Sequence, residues 1–181
     1  KDYKIENLMN SISMVFQDVY LFEDTIENNI KFGKQNASHE EVVQAAKKAR
    51  CHEFIEALPD GYNTIIGEGG ASLSGGEKQR ISIARAMLKD ADIIIFDEAT
   101  ANIDPENEDK LKEAIEQLTK NKTVIMIAHR LKTIRNADQI LVLKDGEIVE
   151  RGNHEELIKN NGLYSDLINA KAKAESWKLN N

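Results

Sequence analysis

Polar and apolar residues alternate over Ser11–Phe16, which predicts a strand that stops at Gln17-Asp18. From there to about Arg50 the spacing is helical. Ser38 is suited to cap a helix in which Val42, Val43, Ala45 and Ala46 carry the apolar face. His52–Leu58 is a short helical stretch closed by Pro59-Asp60-Gly61, and a polar, glycine-rich segment runs from Thr64 to Gly76. Over Glu77–Lys89 the residues Ile81, Ala84 and Leu88 recur at i, i+3 and i+7, an amphipathic helix. Ile93–Phe96 is a wholly apolar run ending in Asp97-Glu98, and Thr123–Ala128 is a second one ending at His129. Between them Pro105 opens a helix that reaches about Leu118. Apolar strands joined by a helix predict a parallel sheet covered on both sides. Ile140–Leu143 and Glu147–Glu150 flank Asp145-Gly146, a tight hairpin, and the tail from His154 is helical with a break near Asn161-Gly162. The expected fold class is α/β, with a mostly parallel sheet flanked by helices. A helical lobe spans about 18–90, and a sheet-bearing lobe comprises 1–17 and 91–181.

Composition narrows the function. Of 181 residues, 24 are Lys or Arg and 31 are Asp or Glu, for a net charge of -7. That balance disfavours a domain that lives on non-specific nucleic-acid binding. Hydrophobic residues at 41% and charged residues at 30% exclude disordered and low-complexity classes. The single cysteine, Cys51, cannot form an internal disulfide and fits a reducing cytosol. The four histidines are scattered without metal-ligand spacing. No apolar run approaches the roughly 18 residues needed to cross a bilayer. The sequence opens with Lys1 rather than Met, so a piece of a longer protein is expected.

Four places carry candidate chemistry. A buried strand ending in two carboxylates, Asp97 and Glu98, is costly unless something compensates their charge, and a metal-bound phosphate would. Neighbours on a strand point to opposite faces, so one carboxylate can hold Mg²⁺ while the other faces an attacking water. The plainer reading is a capped turn. Ser74 with Glu77 forms a capping box, which accounts for those two residues but not for Gly75 and Gly76 between them. Two consecutive glycines at a positive helix end suit close approach of a phosphate. His129, at the end of an apolar strand, falls where open α/β sheets bind ligands, although a lone histidine is more often structural. Gln17, also just past a strand, offers an amide oxygen to Mg²⁺ or water.

Taken in order, these segments resemble the nucleotide-binding domain of ATP-binding cassette (ABC) transporters of the exporter type. Val15-Phe16-Gln17-Asp18 is similar to the Q-loop, and Leu73-Ser74-Gly75-Gly76-Glu77 to the signature motif. Ile93–Glu98 is similar to Walker B with its catalytic glutamate, and Ala128-His129-Arg130-Leu131 to the H-loop. Ala101-Asn102-Ile103-Asp104 resembles the D-loop, although its first two residues depart from the commoner Ser-Ala. Gly67-Glu68-Gly69 resembles the X-loop of exporters. The likeness covers nearly the whole chain. The family's Walker A loop, G-x-x-x-x-G-K-[ST], and its adenine-stacking aromatic are not matched, so the resemblance is to the C-terminal three quarters of such a domain.

The resemblance implies a truncated P-loop NTPase core of the ABC type and two such domains paired head to tail around two ATP molecules, as a homodimer or heterodimer. It implies Mg²⁺ on Asp97 with Gln17, Glu98 as general base, and His129 at the γ-phosphate. Ser74, Gly75 and Gly76, within a motif completed by Glu77, would meet the partner's nucleotide, and Asp104 would communicate across the interface. Glu68 and the Q-loop lobe would touch coupling helices of a transmembrane domain, on the cytoplasmic side of the membrane. The parent is then an ATPase coupled to transport, and the chain alone is expected to show no measurable hydrolysis. Two alternatives remain. One is the C-terminal lobe of a chromosome-maintenance ABC ATPase, which would need sustained heptads that 18–70 does not show. The other is a non-catalytic ABC-like regulatory module.

Overall fold

A computed structural model describes residues 4–67, 72–97, 105–127 and 134–170. They fall into two compact units, Lys1–Ile127 and Ala128–Asn181.

In the first unit, helix α1 (Ile5–Asn10) leads into strand β1 (Ile12–Val15). Next come β2 (Asp24–Thr25), α2 (Ile26–Lys31), α3 (His39–Lys48), α4 (His52–Glu56) and β3 (Ile65–Ile66). Helix α5 (Gly75–Lys89), β4 (Ile93–Asp97), α6 (Pro105–Thr119) and β5 (Thr123–Ile127) complete it. Strands β1, β4 and β5 form one sheet in that order, with both pairings parallel. Val15 stands opposite Phe96 and Phe96 opposite Met126, so the three strands finish at one end. The expected helix from 18 to about 50 is interrupted. Asp24–Thr25 pairs antiparallel with Ile65–Ile66, a ribbon of two residues a side too short to leave an alternation pattern in sequence.

Local chemistry sets the helix starts. Ser38 Oγ accepts from Glu41 N at 3.2 Å while Ser38 N donates to Glu41 Oε2 at 2.7 Å, a closed capping box. Asn29 is fully buried, and its side chain closes the approach to α2: Oδ1 accepts from Phe22 N at 2.9 Å and Nδ2 donates to Phe22 O at 3.0 Å.

Helix α5 is the central element. The spacing predicts one apolar stripe, yet Gln79, Arg80, Ile81, Ser82, Ile83 and Ala84 are all buried in succession. A helix covered on every side lies inside the unit rather than on its surface. One core joins Ile81, Ile83 and Ala84 to Val15, Ile94 and Phe96 of the sheet, to Leu111, Ala114 and Leu118 of α6, and to Ile30, Val42 and Ile55 of the helical segment. The expectation of a sheet covered on both sides is not met among the described residues. Ile94 and Phe96 are buried against the helices, whereas Met14 and Ile125, abreast of each other through Ile95, are about half exposed. Alternation along each strand sends successive residues to opposite faces, and among the described residues the helices pack on one of them.

In the second unit, β6 (Ile140–Lys144) and β7 (Glu147–Gly152) form the expected hairpin. Asp145 and Gly146 turn it with φ of 54° and 83°, the left-handed pair that a two-residue turn requires. Helix α7 (His154–Lys159) and a helical stretch over 163–170 pack Leu157 and Tyr164 against Ile140 and Val142. No described helix is long and apolar enough to cross a membrane.

Candidate functional site

Two polar side chains of α5 fix its direction against the sheet. Gln79 Nε2 donates to the Phe16 carbonyl at 3.2 Å, just past the end of β1. Lys89 Nζ donates to the carbonyls of Met9 and Ile12 at 2.8 and 2.6 Å, at the start of β1. Gln79 to Lys89 covers about 15 Å of helix. Ile12 to Phe16 covers about 13 Å of strand. The lengths match, so α5 runs antiparallel to β1, and its positive N-terminal end points toward the end where the strands finish.

Ser74, Gly75, Gly76 and Glu77 build that end. Ser74 N donates to Glu77 Oε2 at 2.8 Å, and Ser74 Oγ accepts from Glu77 N at 3.3 Å. Lys78 N donates to the Ser74 carbonyl at 3.0 Å. The cap thereby uses the donors of Glu77 and Lys78, while the amides of Gly75 and Gly76 have no acceptor among the described residues. A Cβ added at Gly75 would meet nothing within 4 Å, so open space lies before it. Two N–H groups without an acceptor on a positive helix end, with open space before Gly75, can receive an anion. Glu77 itself is committed to the cap.

Asp97 closes β4, half-buried, opposite Ile127 in β5. It lies on the face with Ile93 and Ile95, opposite to the buried Phe96. Its carboxylate has no hydrogen bond or ion pair with another described residue. A carboxylate oxygen of this kind suits Mg²⁺, which prefers hard oxygen ligands. Gln17 is exposed two residues beyond β1, at the same end of the sheet. The structure thus brings Gln17 and Asp97 to one rim and aims the Ser74–Gly76 turn toward it. Glu98, Asp104 and His129, together with Glu68, lie outside the described residues.

Sequence reasoning missed what holds this rim in place. Asn29, Gln79 and Arg85 are polar residues in helical stretches, where polarity reads as a solvated face, and nothing in their spacing marks them. Arg85 Nε donates to the Asn29 carbonyl at 2.9 Å, and its guanidinium lies 6.0 and 5.7 Å from the ring centres of Phe22 and Phe32. Burial pulls its pKa down from the ordinary arginine value. The Phe22 and Phe32 rings stack at 4.2 Å, and Tyr20 meets Phe22 edge-on at 5.2 Å. Cys51, fully buried, has its thiol pushed up to about 12 by desolvation. It is a packing residue rather than a nucleophile.

Comparison with known proteins follows the same outline. A family model described as ABC transporter matches residues 1–101. The ATP-dependent lipid A-core flippase of Haemophilus influenzae (strain 86-028NP) is 52% identical over 168 residues, 92% of this chain and 29% of that protein. The protein of the same name from Desulfotalea psychrophila (strain LSv54 / DSM 12343) is 53% identical over 169 residues, 93% and 30% of the respective chains. A solved structure, that of a bacterial Atm1-family ABC exporter with ATP bound, aligns with a TM-score of 0.81 at 44% identity. It covers 92% of this chain and 29% of its own. The chain therefore spans under a third of the length of the relatives it matches.

Proposed function

Because the chain belongs to the ABC transporter family, we propose that it is part of the ATP-hydrolysing motor of an exporter, with Mg²⁺ as cofactor. The observation that carries this reading is the pair of unclaimed amides at Gly75 and Gly76, on a helix aimed at the rim that holds Asp97 and Gln17. The relatives named as ATP-dependent flippases, and the exporter with ATP bound, support it.

In this mechanism Asp97 and Gln17 would hold Mg²⁺, which neutralises charge on the transferring phosphoryl group. Glu98 accepts the proton of the attacking water. His129 donates a hydrogen bond to the terminal phosphate. Ser74 Oγ accepts from Glu77 N, which leaves its hydroxyl proton to donate alongside the two glycine amides toward a nucleotide held by a second motor domain. Asp104 relays across that pairing. These 181 residues hold no G-x-x-x-x-G-K-[ST] loop, so hydrolysis requires a protein that supplies one.

Tyr20, Phe22 and Phe32 are 55%, 38% and 51% exposed, a compact aromatic surface beside the Gln17 loop. It suits docking of a coupling segment from a transmembrane partner, on the cytoplasmic side of the membrane. The test is Glu98→Gln in the full-length protein. ATP hydrolysis falls about 10²–10⁴-fold with nucleotide binding retained. A rate within about threefold of wild type would remove Glu98 as the base.

A further inference from the structure

The Gln17 loop is gripped at its two ends by the helix whose head carries the free amides. Before the loop, Gln79 Nε2 donates to the Phe16 carbonyl at 3.2 Å from a side chain that is 5% exposed. Beyond it, Arg85 Nη1 reaches the Tyr20 carbonyl at 3.5 Å, a long contact, and Nη2 reaches Asn29 Oδ1 at 3.4 Å. Asn29 in turn holds Phe22 by both its backbone N–H and its carbonyl. Between these anchors, the side chains of Gln17 and Asp18 make no hydrogen bond among the described residues. The loop borrows its position from α5.

The two grips differ in kind. Arg85 is secured several ways, by Asn29 and by the Phe22 and Phe32 rings, so its contact to Tyr20 is one among many. Gln79 makes a single cross-link, 63 residues away in sequence, to the carbonyl immediately before Gln17. The Gln79 side chain is 5% exposed, so its amide would go without a partner if this bond were lost, which is costly. It leaves α5 within two turns of Gly75 and Gly76.

We propose that Gln79 is a positioning residue that, with Arg85 as second anchor, fixes the Gln17 loop to α5, so that an anion drawn to the Gly75 and Gly76 amides and the placement of Gln17 are mechanically linked. The functional half of this inference rests on the proposed ATPase reading. The clamp itself does not.

The clamp is tested with a nitroxide on Asp18→Cys, an exposed position, in the chain. The buried Cys51 thiol, pushed up to about 12, does not compete for the label. Gln79→Met removes the donor with an apolar side chain of similar length, and Gln79→Glu replaces it with an acceptor. Both give a mobile label line shape where the parent gives a restricted one, while a label at Glu40→Cys on α3 is unchanged. Gln79→His, which keeps an N–H donor, restores part of the restriction. Should Gln79→Met fail to fold, Gln79→Glu decides. A label equally mobile in the parent and in the variants overturns the clamp.

The link to the site is read separately in the full-length protein. Loss of one hydrogen bond raises the Mg²⁺ midpoint of ATP hydrolysis about two- to twelve-fold in Gln79→Met, with kcat at saturating Mg²⁺ unchanged. A mobile label with an unmoved Mg²⁺ midpoint refutes the link and spares the clamp. A parent that hydrolyses no ATP refutes the proposed function, and the label experiment still judges the clamp.

Discussion

Replacing Gly33 by alanine should separate α2 from α5, and the structure gives the size of the effect. A Cβ at Gly33 would stand 2.1 Å from the Arg85 carbonyl oxygen, 3.1 Å from its carbonyl carbon and 3.2 Å from Lys89 N. All three are backbone atoms of α5, so no rotamer change relieves the clash. Gly33 has no positive φ, so the demand is for space alone. Ordinary contact begins near 3.4 Å, and the two segments must therefore part by at least about 1.3 Å. The same movement stretches the 2.9 Å bond from Arg85 Nε to the Asn29 carbonyl out of hydrogen-bonding range. Overpacking of this kind costs about 1–3 kcal/mol, and a lost hydrogen bond to a charged group about 1.5–3 kcal/mol. Alanine returns about 0.4–1 kcal/mol by restricting the unfolded chain. The net loss is about 2–5 kcal/mol. In urea, with a slope of about 1–3 kcal/mol per molar, the midpoint falls by roughly 0.7–5 M at unchanged slope. A midpoint within about 0.3 M of the parent would refute the close approach of these two backbones.

Two further outcomes follow from burial and charge. Cys51 stays unmodified by iodoacetamide at pH 8 in the native chain and reacts promptly once unfolded, because desolvation pushes its thiol up to about 12. Rapid native labelling, followed by mass spectrometry, would contradict that burial. Glu27 is pushed up by burial, but hydrogen bonds from Lys31 at 2.7 Å and with His39 at 2.8 Å outweigh this and hold its pKa below the ordinary glutamate value. A depressed carboxylate stabilises the fold above its unfolded pKa, about 4.3, and that contribution disappears as pH falls through the lower folded value. The gap in urea midpoint between the parent and Glu27→Gln, open at pH 6, therefore narrows as pH drops below about 4. A gap constant down to pH 2.5 would exclude this ionisation.

Much of the architecture was written locally. Ser38 announces an N-cap, which the structure closes as a capping box, and Ser74 announces a capping box outright, because a hydroxyl and a carboxylate three residues apart need only one turn of helix to meet. Asp145-Gly146 announces its hairpin because few residue pairs tolerate two left-handed conformations in succession. The apolar runs Ile93–Phe96 and Thr123–Ala128 were legible as strands, and the structure pairs Ile93–Asp97 in parallel with Thr123–Ile127. The exporter-domain resemblance, drawn from the diglycine turn and the Walker B run, agrees with the family match and with the solved exporter. What stayed hidden was contact at a distance. The ribbon between Asp24–Thr25 and Ile65–Ile66 joins positions some forty residues apart through two residues a side, too few to set a period.

The sequence alone determined most of the longer helices and the apolar strands, where α5 begins, and which residue types could meet a phosphate and a metal, because each depends on neighbours within a turn or on the character of a short run. Only the tertiary structure decided that α5 is enclosed on all sides, that one face of the sheet is covered by helices, and that Gln79, Arg85 and Asn29 are structural polar residues rather than a solvated face. Those facts depend on which surfaces meet across sixty residues of chain. Binary pattern reports that a residue is polar; packing decides whether its partner is water or a carbonyl.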